Sequence, residues 1–144
     1  MRMHRFRWVF CQLETLRHSF PVAIRHTLNN LPKTLDETYE QILLGIAEAK
    51  RDSALCLLQS LTVAIRPLRV EELAEVLALQ FVPGQSPEYR ADWRPVDSHE
   101  AVLTACASLV TVVAQVDGSQ VVQFSHFSVK EFLTSDRLDR KSVV

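Results

Sequence analysis

His126 is flanked by Ser125 and Ser128, an arrangement that raises the question of a base beside a hydroxyl nucleophile. Serine chemistry needs an imidazole that takes the hydroxyl proton and an acid that orients the imidazole. Sequence neighbours are expected to point in different directions, no acid is obviously placed, and no G-x-S-x-G elbow is present. Nucleotide chemistry has no better footing: neither G-x-x-x-x-G-K-[ST] nor G-x-G-x-x-G occurs, and three isolated glycines cannot build a phosphate cradle. Cys11, Cys56 and Cys106 are far apart, lie among apolar residues, and form no C-x-x-C or Cys/His cluster. They read as small buried hydrophobes in a reducing compartment. No catalytic residue, no metal ligand and no cofactor held by this chain alone is expected.

A binding role for His126 is the sharper expectation. It ends a predicted strand just outside the N-terminus of the last predicted helix, where a donating imidazole can meet a phosphate. Glu131 competes for the same helix-start amides. Position alone favours the other reading, a strand-end histidine hydrogen-bonded within its own domain.

The elements that position these residues follow from periodicity. Phe6, Val9, Phe10, Leu13 and Leu16 recur at helical spacing and predict an amphipathic helix over 5–18. Pro21 begins a short helix with Val22, Ile24 and Leu28, broken by Asn29, Asn30 and Pro32. Thr34 and Glu37 form a capping box ahead of the apolar face Leu35, Tyr39, Ile42, Leu43 and Ile46. Asp52 or Ser53 caps the next helix, with Ala54, Leu57, Leu58, Leu61 and Ile65 on its buried side. Arg66-Pro67-Leu68 is extended. Glu71, Glu72 and Glu75 open a helix running to about Leu79. Residues 80–95, with Pro83, Gly84, Pro87 and Pro95, read as a loop, and Asp97 or Ser98 opens another helix through Cys106. Leu109–Val116 and Gln120–Phe124 are Val- and Thr-rich and join through Asp117-Gly118, a hairpin signal. Ser128 and Glu131 form a second capping box before Val129, Phe132 and Leu133.

The expected fold is therefore mainly α with a small β-hairpin. A helical segment at 1–50 precedes a winged-helix domain at 53–135, and the polar tail 136–144 frays. Hydrophobic residues make up 47% and charged residues 23% of the chain, a globular composition that excludes collagen-like, low-complexity and wholly disordered chains. No run approaches the roughly 18 apolar residues of a membrane span, and Arg7, Gln12 and Glu14 interrupt any secretory core, so a cytoplasmic location is expected.

Charge is unevenly spread. Residues 1–33 carry six Lys/Arg against a lone Glu14, while residues 34–100 carry twelve acidic and six basic residues. A basic start suits a mitochondrial presequence, a helix facing a phosphate, or an acidic partner surface. The net charge is only −1, and the helix that would read DNA, Val96–Ala107, lacks Arg and Lys entirely. Groove entry needs cations against phosphates, so no nucleic-acid partner is expected.

Three stretches together carry a resemblance: Phe6-Arg7-Trp8-Val9 with Cys11-Gln12-Leu13, the run Leu31 to Tyr39, and His126-Phe127-Ser128-Val129-Lys130-Glu131-Phe132-Leu133. They resemble NACHT-type (STAND) signal-transduction ATPases, especially the large fungal proteins in which the ATPase precedes ankyrin or other repeats. Arg66-Pro67-Leu68 with Glu71-Glu72-Leu73-Ala74-Glu75 is similar to the start of their winged-helix domain, known also under a GPI inositol-deacylase family name.

The resemblance implies a winged helix that folds back on an upstream ATPase domain and holds an ADP-bound resting state. It implies that the histidine matching His126 contacts the terminal phosphate, with ADP or ATP entering only through that upstream domain. It also implies that this chain is a fragment, a truncated gene model or a degenerate copy, since the ATPase core and the repeats are not in these 144 residues. His4 and Arg5 stand where the family usually carries a glycine. A different class of function, a free-standing adaptor, would use the first helix as its interaction face, with Arg7, Trp8 and Phe10 as contacts.

Overall fold

The computed structural model describes residues 2–135; the tail expected to fray, 136–144, lies outside the described residues. Among the described residues there are seven α-helices: α1 (Arg2–Arg17), α2 (Ile24–Asn29, led in by a 3-10 turn at Pro21–Ala23), α3 (Leu35–Gly45), α4 (Glu48–Val63), α5 (Val70–Ala74), α6 (Ser98–Cys106) and α7 (Phe127–Leu133). Five short strands join them: β1 (Leu68–Arg69), β2 (Leu79–Gln80), β3 (Glu88–Tyr89), β4 (Val110–Ala114) and β5 (Gln120–Phe124).

From α4 onward the order is that of a winged helix. Strand β5 lies between β1 and β4 in an antiparallel sheet, with Leu68 opposite Val122 and Val112 opposite the same residue on the other side. Hydrophobic β-branched residues make this sheet because they pack well on a pleated, half-buried surface. The wing turns where expected. Gly118 N–H donates to the Gln115 carbonyl at 3.0 Å, and Gly118 adopts φ 83°, a left-handed conformation that costs other residues.

Local signals place most boundaries. Thr34 Oγ1 accepts from Glu37 N–H at 3.1 Å and starts α3, but the Glu37 carboxylate reaches one residue further back, to Lys33 N–H at 2.9 Å. Asp97 Oδ1 accepts from Glu100 N–H at 2.9 Å and starts α6. Helix α4 begins at Glu48, ahead of the expected cap at Asp52 or Ser53, so the expected division between 50 and 53 falls inside a helix. Arg51, inside that helix, donates from its guanidinium to the Leu44 and Ile46 carbonyls at the end of α3. The helix stops at Val63, which leaves Ile65 fully exposed rather than on the buried side.

Residues 80–95 are more ordered than a loop. Strands β2 and β3 pair Leu79 with Tyr89 and Gln80 with Glu88, and a 3-10 turn follows at Ala91–Trp93. Arg94 Nε reaches Glu75 Oε1 at 2.7 Å and Tyr89 donates its hydroxyl to Glu75 Oε2 at 3.2 Å, which ties the segment to the end of α5. Two-residue strands leave no alternation to read, so only these non-local bonds reveal them.

One continuous core joins the parts. Tyr39, Leu43 and Ile46 from α3 pack with Leu57, Leu58, Leu73, Val102, Cys106, Leu109, Val122, Val129 and Phe132. The tilted Tyr39 and Phe132 rings stand 5.6 Å apart between centroids. Cys11 and Cys106 are buried free thiols, and burial pushes Cys106 up to about 12, so it stays protonated and inert.

Candidate functional site

Helix α1 is inverted relative to an ordinary amphipathic helix. Its inward face carries Arg7 and Gln12, only 8% and 4% exposed. Phe6, Phe10 and Leu13, which predicted the buried stripe, are each more than half exposed, and Val9 is exposed with them. Burying polar groups is tolerated only when each finds a partner, and these do. Gln12 Nε2 donates to Thr38 Oγ1 at 3.0 Å, and Arg7 Nη2 donates to Ser125 Oγ at 2.7 Å. Arg7 is therefore not part of an exposed interaction face. Trp8 is half-buried and donates its indole N–H to the Pro32 carbonyl at 2.9 Å. Of the three residues expected as contacts, Phe10 alone presents its side chain outward, with the Arg7 guanidinium 5.4 Å behind its ring.

His126 is the N-cap of α7. Its Nδ1 accepts from Ser128 N–H at 3.2 Å, so the cap is the histidine and not the Ser128–Glu131 box that the sequence suggested. An imidazole two residues ahead of the amide reaches it as an aspartate would, which no pattern of Ser, Thr, Asp or Asn reveals. Helix α7 has only seven residues, so its dipole contributes little to an anion site.

Of the three side chains expected to diverge, His126 and Ser128 converge and Ser125 does not. Ser128 Oγ lies 2.6 Å from His126 Nδ1 and 2.6 Å from the Tyr39 hydroxyl, and the Arg7 Nε lies 3.4 Å from that hydroxyl. Ser125 Oγ turns the other way, donating to the Ser108 carbonyl at 2.8 Å while it accepts from Arg7. Ser128 is 4% exposed with both sides of its hydroxyl engaged, so it cannot act as a nucleophile on a substrate.

The electrostatics favour the neutral His126 ring. Partial burial lowers its pKa below the ordinary value, the Arg7 guanidinium and the neighbouring His4 lower it further, and Glu131 opposes them. The His126 ring packs on Phe127 at 4.3 Å and lies edge-on to His4 at 6.3 Å.

Beside this cluster a groove of about 760 Å³ runs between α1, the start of α3 and α7. Trp8, Val9, Leu35 and Phe132 supply its apolar wall. Its lining includes the cations Arg5 and Lys33 and the carboxylates Asp36 and Glu131, so neither sign of charge dominates. Helix α6, the position of a DNA-reading helix in a winged helix, is different again: its sequence, SHEAVLTAC, holds no Lys or Arg, and the wing carries Asp117. Among the described residues no helix is long and apolar enough to cross a membrane.

Comparison with known proteins agrees with this architecture. Residues 39–144 match the family described as GPI inositol-deacylase, winged helix domain. The chain is also similar to azaphilone pigments biosynthesis cluster protein L of Monascus ruber, 32% identical over 117 residues. That alignment covers 79% of this chain and 24% of the Monascus protein, so the chain spans about a quarter of its curated relative. No solved structure gives a significant match. A core shared by α3 to α7, a β1-β5-β4 sheet with a glycine-turned wing, and a family match from within α3 onward lead to one conclusion: the chain belongs to the GPI inositol-deacylase winged helix domain family.

Proposed function

We propose that this chain is the regulatory winged-helix module of a NACHT-type signalling NTPase. It is non-catalytic by itself, docks on an ATPase domain, and helps hold that domain in its ADP-bound resting state. The observation that carries the reading is the inverted α1. Four large apolar side chains, Phe6, Val9, Phe10 and Leu13, line its outward face while Arg7 and Gln12 turn inward with Cys11. A contiguous exposed apolar stripe marks a surface that another body covers. The motif resemblance supplies that body, an upstream ATPase domain, and gives His126 the role of contacting the nucleotide's terminal phosphate. ADP or ATP enters only with that domain. The device is a two-state hinge, biased by whichever nucleotide is bound.

The test is a titration of this chain against the ATPase core of a NACHT protein that carries such a module. The chain binds the ADP-loaded core more tightly than the ATP-loaded core, by about tenfold if the differential contact is worth about 1.4 kcal/mol. Phe10→Asp with Leu13→Asp abolishes the binding. Equal affinity for both loaded forms contradicts the reading.

The same stripe also favours a second reading, a free-standing adaptor that binds another protein through α1. Its contacts are then Phe6, Val9, Phe10 and Leu13, with Arg7 and Trp8 behind them. Sedimentation tests the adaptor: a chain that stays monomeric and unaggregated argues that the α1 face is already covered, against that reading.

A further inference from the structure

We propose that Arg7, Tyr39 and Ser128 are positioning residues that lock His126 in its Nε2–H tautomer, so that the ring offers a fixed hydrogen-bond donor to an anionic oxygen. The identity of that oxygen, a nucleotide phosphate, rests on the functional reading above; the lock itself does not.

The direction of every proton in the chain of contacts is forced from both ends. At one end, Ser128 N–H can only donate, and it points at His126 Nδ1 from 3.2 Å. A proton on Nδ1 would set two N–H groups against each other, so Nδ1 is the bare nitrogen and the neutral ring carries its proton on Nε2. Ser128 Oγ, 2.6 Å from the same Nδ1, must then donate to it. That uses the only Ser128 hydroxyl proton, so the Tyr39 hydroxyl donates to Ser128 Oγ across 2.6 Å. Tyr39 in turn has only lone pairs left for Arg7 Nε, 3.4 Å away. A guanidinium can only donate, so the other end is forced as well. Each hydroxyl accepts once and donates once, and polarised chains of this kind strengthen one another.

Three further facts make the lock consequential. Among the described residues nothing bonds to Nε2, and His126 is only partly buried. The groups facing the ring from α1 and α7 are Arg7, His4 and Glu131; their sum and the partial burial favour the neutral ring, in which tautomer decides between donor and acceptor. The opposite tautomer would aim a lone pair at the anion. The relay starts on α1, passes through α3 and ends at the cap of α7, so the seating of the first helix controls the donor at the far end.

The experiment is a long-range 1H–15N correlation of the histidine imidazoles in the full chain near neutral pH, with a titration of His126. The unaltered chain shows His126 as Nε2–H. Ser128→Ala removes a donor to Nδ1, lowers the Nε2–H to Nδ1–H ratio by about fivefold for one hydrogen bond, and raises the His126 titration midpoint. Tyr39→Phe keeps the ring in the core and gives a smaller change in the same direction. A merely structural role would alter stability and leave the tautomer ratio alone. The proposal is overturned by an Nδ1–H ring in the unaltered chain, or by an unchanged ratio and midpoint in both variants. A locked Nε2–H ring whose removal leaves nucleotide release unchanged would instead overturn the functional reading and leave the lock standing.

Discussion

Arg7 and Ser125 lie 118 residues apart in the chain, and a 2.7 Å hydrogen bond from the guanidinium to the serine Oγ joins them. Ser125 sits between the end of β5 and the cap of α7, so this bond fastens the first helix to the wing. Arg7 is otherwise buried beneath Phe10, with Tyr39 as its second partner.

Arg7→Met keeps the bulk and removes the donors. Bonds to a charged group contribute about 1.5–3 kcal/mol, and Ser125 loses its donor. The expected outcome is a destabilisation of about 2 kcal/mol, read as a lower urea midpoint at an unchanged slope. A change within about 0.5 kcal/mol would mean that α1 is held without this bond.

Leu73 and Leu13 test which face of which helix is the core. Leu73 is fully buried in α5 among α4, α6 and the sheet, whereas Leu13 points outward from α1. Leu73→Ala costs about 2–5 kcal/mol, and Leu13→Ala stays within about 0.5 kcal/mol in the isolated chain. Thermal melts of both variants check the contrast.

Much of the fold is legible because single residues announce it. Thr34 and Asp97 cap their helices by side-chain bonds to the third amide, as such residues do, and Gly118 turns the wing. The site is less legible for the same physical reason that makes it a site. Phe6, Val9, Phe10 and Leu13 obey helical periodicity but mark an outward face, and periodicity carries no information about which side meets this chain's core. Arg7 and Gln12 look like solvent-facing residues and are buried, because their partners Ser125 and Thr38 come from other elements. His126 as a cap, and its bond to Ser128, depend on ring geometry that residue types do not encode. Patterning and burial disagree on α1, and on the proposed reading a docking helix leaves this disagreement in a sequence.

Acid should weaken the fold through His126. Its folded-state pKa lies below the ordinary value, so the fold favours the neutral ring. That contribution is complete above about pH 6.5 and is lost as the pH falls through the lower folded-state value. His126→Asn, which can still accept from the Ser128 amide, flattens the melting temperature between about pH 7 and 5. A second loss sets in at lower pH, where Glu72, held down to about 2 by the Arg66 guanidinium and Arg69 N–H, becomes protonated. A variant with the same pH profile as the unaltered chain would exclude His126 as the titrating group.

Double-stranded DNA should not bind. The exposed side of α6 carries His99, Glu100 and Thr104, and the wing tip carries Asp117. Specific and non-specific affinity for DNA both depend on cations that release counterions. Fluorescence anisotropy of a labelled duplex at about 50 mM salt is expected to stay flat across micromolar protein, whereas a salt-dependent rise would give the winged helix a nucleic-acid partner.

The most direct test of the regulatory account is the rate at which ADP leaves a complete NACHT-type ATPase carrying this module, with His126 intact and as His126→Ala. Loss of a hydrogen bond to a phosphate is worth about 1.5–3 kcal/mol, so the account predicts ADP release faster by about 10- to 100-fold, together with a shift toward the active state. Unchanged ADP release and unchanged signalling in His126→Ala would contradict it.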